Sequence, residues 1–195
     1  MAGRFVEAAF RSLAVAAGIG SGVAGGFTVN QLFTISRTTI PFNNTDQPIE
    51  LLINEINPNL MLYTRVSAGL ALGLGALSFF LAISIFIRVC KCEAGTAIKC
   101  IFTIDFIIVI MCILGFAAGG VLGAIGANSW SRDIVDKIDI ISPVIDIYDV
   151  LEPTRTLLAA TAATSLFASL AFVALKYWLI IFSARNCDLV YNGWI

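Results

Sequence analysis

Four apolar runs, each long enough to cross a bilayer, constrain this chain more than any other feature. They cover residues 12–32, 66–87, 98–127 and 157–182. Each exceeds the roughly 20 residues that a helix needs, at about 1.5 Å per residue, to span about 30 Å of hydrocarbon. Inside lipid every backbone N–H and C=O must be bonded within its own segment, so each run is expected to be a helix. The first run follows Arg4 and Arg11 and could pass for a secretory leader. It is longer than an ordinary leader core and continues into TVNQLF without a small-x-small cleavage site, so it reads as a retained helix.

The expected fold is an all-α membrane protein: one domain over residues 1–195, a left-handed four-helix transmembrane bundle. Residues 33–65 and 128–156 form two outer loops, and residues 88–97 a short basic cytoplasmic turn. The first loop is polar and holds Pro41, Pro48 and Pro58, which would interrupt any long helix. Composition agrees, since 58% of the 195 residues are hydrophobic and 13% charged, against about a quarter charged in a soluble domain.

Lysine and arginine placement orients the bundle. Arg4, Arg11, Arg88, Lys91, Lys99, Lys176 and Arg185 flank one side at high density. Arg37, Arg65, Arg132, Lys137 and Arg155 are spread over the longer loops of the other. Both termini are therefore expected in the cytoplasm, with Tyr177 and Trp178 at that interface. Asn43-Asn44-Thr45 is a glycosylation sequon in the first outer loop, which agrees with this orientation.

Several function classes fall away. The chain has no histidine, which removes imidazole bases, histidine-ligated haem and most zinc sites. It has no glycine-rich phosphate loop and no GxSxG. A net charge of −1 without a basic stripe argues against nucleic acid. The expectation is a protein that is not an enzyme and holds no cofactor or metal, with membrane lipids and other subunits as partners.

Glycines recur every fourth residue at Gly18, Gly22 and Gly26, at Gly69 and Gly73, and at Gly115, Gly119 and Gly123. Such spacing lets a neighbouring backbone approach closely. It admits intramolecular packing or self-association, and the residues alone leave both open. Asp105 sits inside the apolar run IFTIDFIIVIM, where a carboxylate costs about 3 kcal/mol at the bilayer centre. Arg11, which opens the first helix from the same side, is its expected ion-pair partner; a proton- or ion-conducting role is one alternative, and an interfacial aspartate of no consequence the other.

Cys90, Cys92 and Cys100 flank the basic turn and Cys187 follows the last helix, positions open to S-acylation. Inert thiols are the other reading, and the Cys90-Lys91-Cys92 spacing fits paired metal ligands poorly. In the second outer loop, Asp133, Asp136 and Asp139 repeat every three residues between aliphatics, with Asp146, Asp149 and Glu152 after Pro143. This amphipathic pattern suits a short helix on the bundle or a contact surface for a partner.

The layout resembles the MARVEL superfamily, including Casparian-strip-membrane-protein-like chains. The resemblance rests on RFVEAAFRSLAVAAGIGSGVAGGFTVNQ with Arg11 and IFTIDFIIVIMCILGFAAGGVLGAIG with Asp105. Claudins and tetraspanins fit less well, because neither outer loop holds a cysteine and residues 33–65 hold no tryptophan. The resemblance implies membrane apposition, vesicle trafficking or scaffold formation by lateral assembly, at the plasma membrane or on endomembrane vesicles. The expected function is a membrane-organising protein that self-associates or binds partners in the bilayer plane. Accessory subunit of a channel, transporter or respiratory assembly is the alternative, and a small channel or transporter the third.

Overall fold

The computed structural model describes the backbone of residues 2–42, 45–90, 96–130, 134 and 148–192, and the side chains of residues 6, 8–39, 47–82, 106–130, 134 and 151–178. Among these residues the chain is nearly all helical. Helix α1 runs Ala2–Arg37, strands β1 and β2 cover Thr39–Phe42 and Thr45–Pro48, and a short helix α2 spans Ile49–Ile56. Helices α3, α4 and α5 follow at Leu60–Cys90, Thr96–Ser129 and Tyr148–Asn192. Four of the five are long and apolar enough to cross a membrane, over Ala8–Arg37, Leu60–Ala82, Phe106–Ser129 and Leu151–Trp178.

All four long helices outrun their apolar cores at both ends. Helix α5 begins nine residues before Leu157, and its second turn carries Glu152, whose charge favours the positive end of the helix dipole. Pro153 falls in its second turn, where only the bond to the Asp149 carbonyl is lost and the helix continues.

Residues 33–42 and 45–65 carry regular structure rather than a plain polar loop. Helix α1 persists to Arg37, the two strands pair antiparallel with Thr39 opposite Pro48 and Phe42 opposite Thr45, and α2 follows directly. Each proline takes a position that needs no helical N–H. Pro41 lies in β1 and Pro48 caps α2 with extended backbone (φ −61°, ψ 134°). Pro58 sits in a turn where the Asn59 N–H donates to Asn57 Oδ1 at 3.2 Å, and α3 starts at Leu60. The Ile49 N–H donates to the Thr38 carbonyl at 3.1 Å, closing the hairpin base onto the end of α1.

The bundle closes in the ring order α1, α3, α4, α5. Helix α1 packs along α3 and α5, α4 packs along the same two, and the diagonal pairs meet far less. Side-chain size divides the interior into three layers. At the hairpin end, Ile35, Ile49, Ile53, Leu60, Trp130, Ile134 and Leu158 form one buried cluster. At the end carrying the chain termini, Val15, Leu81, Val109, Phe116, Phe172 and Leu175 form another, with the Phe116 and Phe172 rings stacked at 6.0 Å. Between them lies a layer of glycine, alanine, serine and threonine. Outside, large apolar side chains such as Phe27, Phe79, Phe80, Leu114 and Leu170 are exposed all round, the pattern of helices solvated by hydrocarbon.

Candidate functional site

The middle layer is where the helices come closest, and glycine makes this possible. Gly22 of α1 and Gly75 of α3 face each other backbone to backbone. A Cβ added at Gly75 would lie 2.5 Å from the Gly22 Cα, and one added at Gly22 would lie 2.9 Å from the Gly75 Cα. A Cβ added at Gly25 would lie 2.8 Å from both the Ala68 carbonyl oxygen and the Ala71 Cβ, and one added at Gly18 would run into the Ser78 side chain. On α4, Gly115 and Gly119 face Leu74 and Leu70 of α3. Gly120 faces Leu166 of α5, Gly123 touches both Ser67 and Ala162, and Gly126 faces Leu158. No side chain larger than hydrogen fits these crossings without displacing backbone or a packed neighbour.

The expected glycine ladders are thus divided. Gly18, Gly22, Gly115, Gly119 and Gly123 lie at helix crossings, whereas Gly26 has only the Leu72 Cδ1 at 3.7 Å, and nothing lies within 4 Å of a Cβ at Gly69 or Gly73. Helix geometry explains the division. Each step of four residues rotates about 40° round the helix, so Gly26 is about 80° from Gly18, while a step of seven brings Gly25 back to within about 20°. The α3 face toward α1 is formed by Ala68, Ala71 and Gly75, and Gly69 and Gly73 look outward. Gly25, Gly75, Gly120 and Gly126 complete the contacts. Their signal was present in mixed spacings of three, four and seven rather than in strict fours.

Hydroxyls supply the directional contacts of the same layer. Ser21 and Ser165 lie 2.8 Å apart across α1 and α5, as do Thr28 and Thr161. The Ser67 hydroxyl donates to the Gly119 carbonyl at 2.8 Å, and the Ser169 hydroxyl to the Ile113 carbonyl at 3.0 Å. In the threonine pair, two protons serve three contacts. Thr161 Oγ1 lies 2.8 Å from the Leu157 carbonyl and Thr28 Oγ1 lies 3.1 Å from that of Ala24. The shorter contact favours Thr161 donating to its own helix and accepting from Thr28. Thr161, Ser165 and Ser169 recur every fourth residue along α5, a stripe legible in the sequence.

At the hairpin end, the Trp130 indole N–H donates to Thr64 Oγ1 at 3.1 Å, and that hydroxyl donates to the Leu60 carbonyl at 2.8 Å. Arg65 Nη2 meets Glu50 Oε1 at 2.6 Å, tying α2 to α3. At the terminal end, Phe10 stacks on Trp178 with centroids 5.7 Å apart, and the Lys176 ammonium sits 5.4 Å from the centroid of the Phe106 ring. The Trp178 indole N–H is buried and has no acceptor among the described residues.

Arg11 is buried, 7% exposed, and engaged with a partner. The side chain of Asp105 lies outside the described residues, as do those of Asn43, Cys90, Cys92, Cys100 and Cys187, and the acidic repeat at Asp133, Asp136 and Asp139. Cys112, in the middle of α4, is a free and fully buried thiol.

The arrangement has two chemical faces. Inward, glycines and hydroxyls knit four helices together; outward, apolar side chains surround an exposed Gly69-x-x-x-Gly73 step. Compared with protein-family models, with curated proteins and with solved structures, the chain matches none of them.

Proposed function

We propose that this chain is a non-catalytic membrane-organising protein that acts by lateral association in the bilayer. The observation that carries the reading is the outward step at Gly69 and Gly73, where an added Cβ would meet nothing within 4 Å. Glycine in a helix interior costs about 0.5–1 kcal/mol relative to alanine. At Gly22 and Gly75 close packing offsets that cost; at Gly69 and Gly73 nothing in the single chain does. Two glycines four residues apart on an apolar face let another helix approach as closely as α1 approaches α3. In this reading the partner helix belongs to a second copy. The layout shared with the MARVEL superfamily supports it, as does the orientation from lysine and arginine placement, with both termini in the cytoplasm. Asn43 then faces outward, and Cys90, Cys92, Cys100 and Cys187 stand where S-acylation could add a second membrane signal.

Native mass spectrometry after extraction in mild detergent tests the proposal. Wild type should release homo-oligomers, and Gly69→Leu/Gly73→Leu should release monomers with an unchanged thermal melt, since neither position touches the bundle. A monomeric wild type, or oligomers indifferent to both leucines, overturns the reading. Stoichiometric retention of unrelated subunits replaces it with an accessory-subunit role.

A further inference from the structure

We draw no further inference here: the strongest candidate, the exposed small-residue face of α1 at Ala16 and Gly20, where a Cβ added at Gly20 would meet nothing within 4 Å, carries nothing because nothing in the structure shows what covers it.

Discussion

At the scale of single residues, identical chemistry has opposite consequences according to which way it faces. Gly73 and Gly75 are two positions apart on α3, yet one looks outward and the other holds the Gly22 backbone. Gly75→Ala places a methyl 2.5 Å from a Cα that cannot yield without moving α1. Overpacking of this kind costs about 1–3 kcal/mol. Gly73→Ala should leave the fold of the single chain as stable as before, or slightly more stable through helix propensity. Unfolding in mixed micelles, followed by far-ultraviolet circular dichroism, should separate the two; equal losses would place the α1–α3 crossing elsewhere. Thr64 shows the same dependence on neighbours. Its hydroxyl satisfies a buried indole on one side and a carbonyl of its own helix on the other, so it ties α3 to the residue that follows α4.

At the scale of elements, the five helices are held by different means. Helices α1 and α3 meet through glycine and alanine, and dispersion at short range does the holding. Helices α1 and α5 meet through paired hydroxyls, each such bond being worth about 0.6 kcal/mol in membrane proteins. Helix α2 depends on neither. Eight residues are too few to be stable alone, and α2 persists because Ile49 and Ile53 are buried among Leu60, Trp130 and Leu151. The exposed Glu50–Arg65 pair adds little beside this burial. Ile53→Ala should cost about 2–5 kcal/mol locally. Amide hydrogen exchange should then quicken across α2 and the hairpin while the middle layer stays protected. Uniform acceleration through all four long helices would show instead that the cap and the bundle unfold as one unit.

At the scale of the whole molecule, four helices are long and apolar enough to cross a membrane, and an even number of crossings would put the two ends of the chain on the same side. Cysteine-free variants carrying a single reporter cysteine near either end should react with an impermeant maleimide from one face of sealed vesicles only, and from the same face for both. Labelling from opposite faces would mean that one of the four helices does not cross.

The four long apolar helices were legible in the sequence because apolar length is a local property, read without knowing any neighbour. The hidden extent of α2 and the hairpin follows from the same rule. Residues 33–65 hold three prolines and many polar side chains, which describe where helices must stop but not what is buried against Trp130. The chain by itself also determined where close approach was available, through its glycines, and where hydroxyls lined up along α5. Only the tertiary structure decided which of them are used. Rotation per residue turns a ladder of fours away from its neighbour, so Gly25 replaces Gly26, and Gly69 and Gly73 are left facing outward. A residue's face is set by the helices around it, and that arrangement is not a property of any one segment.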